Sequence, residues 1–153
     1  MKLGELFAAD SGAALLTSDK VKFFVMSPKR NGPPREAEAV FALVDEVEER
    51  TSARDAEREV LAEYKDEQGG PIPVLQQARL SAQLYHLLWR VLRDKDTPEE
   101  KFGETVLQLR KCVPWSVANR LLGQYNRWVE KELPVTPSME QQGEVEEAAE
   151  GKS

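Results

Sequence analysis

Few side chains in this chain are equipped for chemistry: one histidine, His86; one cysteine, Cys112; and a run of carboxylates that includes Glu46, Glu49, Asp55 and Glu57. His86 lies in LYHLLWRVLRDKD, residues 84 to 96, between Tyr85 and Trp89. An imidazole there would be a general base only with an orienting partner and a cleft. Helical geometry argues for a plainer role. At about 100° per residue, Arg79, Gln83, His86, Arg90 and Arg93 share an arc of about 80°. His86 is therefore expected on a polar, basic stripe, solvated or paired with a carboxylate.

The other candidates fail on spacing. Inward-facing carboxylates of a di-metal bundle come with Glu-x-x-His pairs, and the residue three before His86 is Gln83. Cys112 has no second cysteine for a disulfide or thiolate metal site and no visible partner for nucleophilic catalysis, so it reads as a small core residue. The pair Gly69-Gly70 is followed by Pro71, which removes an amide donor where a bound phosphate would need one, so a turn is expected. Arg79, Arg90 and Arg93 read as a solvated face or as partners of an acidic helix, not as a nucleic-acid surface. No catalytic, cofactor-binding or metal-binding residue is assigned, and the chain is read as non-enzymatic.

The composition narrows the class further. A chain of 153 residues with a net charge of -6 suits one domain with a tail, and its acidity disfavours a duplex nucleic-acid binder. No stretch approaches a membrane span, and the start, MKLGELFAADSGAALL, carries acids where a secretory signal would be basic and then apolar. A cytoplasmic protein is expected.

The elements that must position these residues can be followed along the chain. VKFFVM, residues 21 to 26, predicts a strand that Ser27-Pro28 stops. Ala13 to Thr17 either pairs with it as a hairpin around Ser18-Asp19-Lys20 or extends an N-terminal helix. Beyond SPKRNGPP, the spacing of Val40, Val44 and Val47 predicts a first long helix from about Arg35. It continues through EERTSARDAERE as one solvated helix, or a second helix meets it there. Ile72-Pro73 leads into the helix containing His86. Thr97-Pro98-Glu99-Glu100 matches a capping box and predicts a short turn of helix. Phe102, Val106, Leu109 and Val113 stripe a brief helix up to Pro114, which starts the last one. In that last helix Trp115, Ala118, Leu121, Leu122, Tyr125, Trp128 and Val129 fall within about 140°. The fold class expected is mainly α: a compact helical domain, residues 1–133, after one short strand or hairpin, with a disordered acidic tail, residues 134–153. Leu84, Leu88, Val91, Leu121, Leu122, Tyr125 and Val129 should form the core.

The central helix carries more apolar surface than one buried face needs, since Leu80, Ala82, Leu84, Tyr85, Leu87, Leu88, Trp89, Val91 and Leu92 span about 220°. It should be buried on most sides. The surplus, with three tryptophans, points to a partner-binding groove or a homo-oligomer interface. Tyr85, Trp89, Leu92, Trp115 and Trp128 are the residues expected to contact a protein partner.

The order KFFVMSP, LYHLLWRVLRDKD and FGETVLQLRKCVPWSVANRLLGQYNRWVEKELPVTPSME resembles the tail assembly chaperones of long-tailed bacteriophages over roughly residues 20 to 140. The resemblance lies in an aromatic and leucine-rich helix ending in Arg-Asp, a Phe-containing segment at Phe102, the Leu109-Arg110 helix, the Asn119 to Tyr125 helix, and Pro137-Ser138 before an acidic tail. The charged stretch Glu48 to Glu59 has no counterpart in that pattern. The resemblance implies a non-enzymatic chaperone that holds the tape-measure protein soluble, recruits tail-tube subunits and is displaced as the tube polymerises. It also implies a second, longer product made by a one-base ribosomal slip, for which Glu150-Gly151-Lys152 is what a G-GGA-AAR heptamer would encode. The alternative reading is a small acidic regulator binding a host machine such as RNA polymerase, and gene neighbourhood separates the two.

Overall fold

Two stretches with alternating side chains start the fold. The computed structural model describes residues 2–6, 16–28, 32–64 and 72–133. After a single helical turn, α1 (Leu3–Leu6), strand β1 (Val21–Val25) pairs antiparallel with β2 (Arg35–Phe41), with Phe23 opposite Ala37. The pairing extends past β1 through a bridge between Thr17 and Ala42. The Phe41 N–H donates to the Ser18 hydroxyl, and the Ser18 N–H donates to the Phe41 carbonyl. Helix α2 (Glu46–Tyr64) and helix α3 (Ile72–Val91) follow, and β3 (Leu92–Arg93) continues directly from α3 to pair with the other edge of β2. The sheet order is β1-β2-β3. Helices α4 (Val106–Cys112) and α5 (Trp115–Glu132) complete the chain as described.

The structure is mainly helical but not all-helical beyond one strand, and the expected helix from Arg35 is corrected: residues 35–41 are a strand. Two periods compete in REAEAVF. The Val40, Val44, Val47 spacing suits a helix, whereas the alternation of Glu36 and Glu38 with Ala37, Ala39 and Phe41 suits a strand. The strand wins because β1 needs a partner for its backbone groups and its Phe23 needs a covered face. Ala39 and Phe41 are buried, while Val47 is 71% exposed on α2. The hairpin partner of β1 is thus β2, and the described residues of the proposed 13–17 segment, Leu16 and Thr17, meet Leu43 and Ala42 rather than β1. Ala13 to Leu15, the Gly69-Gly70-Pro71 turn and residues 134–153 lie outside the described residues.

A second correction concerns Thr97-Pro98-Glu99-Glu100, which forms a turn and no helix. The Asp94 carboxylate accepts from the N–H groups of Asp96 and Thr97. Glu100 closes the turn by donating to the Thr97 carbonyl, and Lys101 then bridges back to Arg93. The capping pattern that works is Thr105-x-x-Gln108. The Thr105 hydroxyl accepts from the Gln108 N–H at 3.0 Å, and the Gln108 side chain accepts from the Glu104 N–H at 2.8 Å, starting α4.

The main core lies between the sheet and helices α3, α4 and α5. Phe23, Phe41, Leu88, Leu92, Leu109 and Leu121 are its largest fully buried side chains apart from valines. Of the expected core residues, Leu84, Leu88, Val91, Leu121 and Tyr125 are buried, and Leu122 and Val129 are half-buried against them. Each large apolar side chain removed from water here contributes about 1.5 to 3 kcal/mol. Edge-to-face contacts of Phe23 with Phe102 and of Phe41 with Tyr125, at centroid distances of 5.5 and 5.7 Å, fix how sheet and helices meet.

Helix α2 packs on the opposite side of α3 through a different chemistry. Ala56 and Val60 meet Ala82 in a small separate cluster. Flanking it, Arg79 donates to Glu57, Arg90 to Asp55 and, from α4, Arg110 to Glu59. The charged segment is one continuous helix, and its acids pair with the basic stripe of α3.

Candidate partner-binding surface

Helical spacing places Tyr85, Leu88 and Leu92 toward the sheet and α5, and this fixes what each expected contact residue can do. Tyr85 is buried, and its hydroxyl donates to the Val113 carbonyl at 2.7 Å. Burial pushes its pKa up, and the nearby Arg110 guanidinium, 5.3 Å from the ring centroid, opposes that rise. Leu92 is fully buried in β3. Both are core residues, and neither presents surface to a partner in this structure. Their burial follows from α3 being covered on two sides.

The tryptophans divide. Trp89 is half-buried. Its indole N–H donates to the Gly103 carbonyl at 2.9 Å, and the Lys101 ammonium sits 4.4 Å from its ring centroid. Its polar edge and one face are thus already engaged. Trp128 is half-buried against Phe41 and Tyr125, at centroid distances of 6.4 and 6.0 Å. Trp115, the first residue of α5, is 47% exposed and leans on Tyr85 at 6.3 Å. Trp115 is therefore the expected contact residue with the most free apolar surface.

Trp115 does not stand alone. Leu80 of α3 is 60% exposed, and the two residues line a cleft of about 360 Å³ together with Gln77 and Ser81. Leu80 was counted in the sequence as part of the buried arc. It lies close to the middle of α3, and no spacing within that helix distinguishes it from its buried neighbours Ala82 and Leu84. Apolar side chains are also exposed on the sheet, where Phe24 and Met26 are 55% and 42% accessible. Beside them Val25, Met26, Phe102, Leu109 and Cys112 border a smaller cavity of about 200 Å³.

Of the chemistry-bearing residues, His86, Asp55 and Glu57 lie at the seam of α2 with α3, while Cys112, expected as a core residue, is only half-buried. His86 Nε2 lies 3.4 Å from Glu59, whose other oxygen accepts from Arg110 at 2.8 Å. The imidazole thus faces a carboxylate across the α2–α3 interface, with its buried Nε2 making no hydrogen bond among the described residues. Asp55 is matched with Arg90 and Arg58, Glu57 with Arg79, and Glu46 with Arg50. Among the described residues no three His, Cys, Asp or Glu side chains converge as a metal site, and no described helix is long and apolar enough to cross a membrane. Arg93 bonds the Arg90 carbonyl at 2.7 Å rather than an acid. No family model, curated protein or solved structure shows significant similarity to this chain.

Proposed function

We propose that this protein is a non-catalytic, reversible protein-binding chaperone of the phage tail-assembly kind, which covers apolar helical segments of a tape-measure protein and helps recruit tail-tube subunits. The observation that carries the reading is the exposed pair Leu80 and Trp115 on adjacent helices, flanking an open cleft. A leucine and a half-covered indole supply about 3 to 5 kcal/mol of gross apolar burial, before the cost of association is subtracted. Such a site is weak by itself. Weak sites in many copies suit a client that is long, apolar and later handed on to a polymerising tube.

The test is co-expression of the chain with a long helical protein encoded downstream of it, followed by purification on a tag carried by the chaperone. The client is expected in the soluble fraction with the chaperone, and the double variant Leu80→Ser/Trp115→Ser is expected to lose it. Failure of the intact chain to retain such a client removes the proposal. The genetic corollary is a slip site across codons 150 to 152 opening a long overlapping frame, in a neighbourhood holding tube and tape-measure genes.

A further inference from the structure

A second groove, at the opposite end of α5 from Trp115, runs between the start of α2 and the end of α5. It encloses about 550 Å³. Its floor is apolar, made by Leu43, Val44, Tyr125, Val129 and Leu133, and its rim carries Asp45, Glu49 and Glu130. Val44 and Tyr125 are buried, Val129 is half-buried, and Leu133 is 55% exposed. Neither Glu49 nor Glu130 forms an ion pair among the described residues. Asp55, Glu57 and Glu59 of α2 are matched with arginines, whereas Glu49 on α2 and Glu130 on α5 face the groove without such a partner.

Two helix termini meet at this groove, and their fields oppose each other. The N-terminus of α2 carries roughly half a positive charge and the C-terminus of α5 roughly half a negative one. The α2 end, however, holds Asp45, Glu46, Glu48 and Glu49, and Asp45 caps it by accepting from the Glu48 N–H at 2.8 Å. Those carboxylates outweigh the dipole several-fold, and only Glu46 among them has a cation beside it, Arg50. At the α5 end Lys131 is the single base of the final turn. The groove is negative at both ends. Tyr125 registers this field: burial raises its hydroxyl pKa first, a hydrogen bond with the Val44 backbone lowers it, and the charges of Glu49 and Glu48 raise it further.

We infer that this groove docks a basic amphipathic helix of a partner protein, with the helix's apolar stripe on Leu43, Val129 and Leu133 and its lysines or arginines on Glu49 and Glu130. Charge selects that occupant. The chain's own continuation, residues 134–153, carries five glutamates and one lysine and has the wrong sign. A second copy would bring the same acidic rim against itself. The inference rests on the protein-binding reading but uses different residues, so each can fail alone: client retention is read through Leu80 and Trp115, and this groove through Glu49, Glu130 and Leu133.

The experiment measures fluorescence anisotropy of a labelled synthetic peptide of about 18 residues, built of leucines at helical spacing with lysines elsewhere, on titration with the full chain. A matched peptide with glutamates in place of the lysines is the control. The Lys/Leu peptide should bind. The Glu/Leu peptide, the rim variant Glu49→Lys/Glu130→Lys and the floor variant Leu133→Ser should each weaken binding by about tenfold or more. The substituted side chains are exposed, and near-ultraviolet circular dichroism checks that each variant keeps its tertiary packing. Binding indifferent to the rim variant overturns the inference, as does no binding at all. Competition by a peptide of residues 134–153 would make the chain's own segment the occupant and overturn it. A dimer in sedimentation that the rim variant dissolves would assign the groove to a second copy, with the same result.

Discussion

The guanidinium of Arg90 lies 3.0 Å from the carboxylate of Asp55, joining the last turn of α3 to the middle of α2, and the Arg90 side chain is only 13% exposed. This pair, with Arg79–Glu57 and the His86–Glu59–Arg110 group, makes the polar stripe of α3 an interface. A stripe of bases read from one helix and a run of acids read from another are two halves of one contact.

Asp55→Ala should therefore leave a largely buried guanidinium without its carboxylate. The expected loss is about 1 to 3 kcal/mol, below the range for a fully buried pair because Asp55 is partly solvated. Urea unfolding of the variant measures it. A change under about 0.5 kcal/mol would place this pair among surface bridges of no consequence.

Trp115 and Trp128 should respond in opposite ways. Trp128→Ala removes a ring packed on Phe41 and Tyr125 and is expected to cost about 2 to 3 kcal/mol, less than full burial would give. Trp115→Ala, at an exposed position, should cost less than about 1 kcal/mol while reducing client retention. Thermal melts and the co-purification assay read the two effects separately.

Thr105→Ala should cost about 1 kcal/mol, because the hydroxyl caps the first turn of α4. Thr97→Ala, in a turn whose side-chain acceptor is Asp94, should be close to neutral. Equal losses at the two positions would mean that the cap assignment is wrong.

The pH dependence follows from Glu38 and Lys95, which join β2 to the turn after β3 at 3.1 Å. The hydrogen bond with Lys95, and then its charge, hold the Glu38 carboxyl below the usual glutamate value, and the same partner raises Lys95. A depressed carboxyl contributes stability that is present above its unfolded pKa and is lost as pH falls through the folded one. A raised ammonium contributes stability that is present below its unfolded pKa and is lost as pH rises through the folded one. The pair thus works across the neutral range and fails at both extremes. An NMR titration of the Glu38 carboxyl should show the depression, and Lys95→Ala should return it most of the way, with Lys22 and Lys20 holding the remainder.

Legibility in the sequence tracked how many constraints acted on a segment. Helix α5 was readable because its apolar residues occupy one face and a proline marks its start, and the core along Leu84, Leu88 and Val91 followed from periodicity alone. Strand β2 was not, because Glu36 and Glu38 are poor strand formers and the valine spacing after them is helical. Only the demand of β1 for a partner decides it, and that demand is non-local. The expected contact residues mixed core with surface for the same reason. Tyr85 and Trp115 touch each other, yet which of the two faces water depends on where the sheet and α4 end. His86 was legible as a residue of the polar stripe, but its carboxylate partner, Glu59, lies across a helix boundary that no spacing within α3 reveals.

The mode of attachment of α2 has a further consequence. This helix contacts the body chiefly through α3, and that seam is made of arginine–carboxylate pairs and a small apolar cluster of Ala56, Val60 and Ala82 with Leu75 and Ala78, which holds no aromatic ring among the described residues. Ionic contacts weaken as salt shortens the Debye length, from about 10 Å at 0.1 M to about 3 Å at 1 M, whereas the ring-and-leucine core does not lose strength that way. The chain should accordingly behave as two cooperative units of unequal stability. In native-state hydrogen exchange, amides of residues 46–64 should open sub-globally, and sooner as salt is raised, while those of residues 115–132 exchange only with global unfolding. Coincident exchange of both helices at every salt concentration would instead show one indivisible unit.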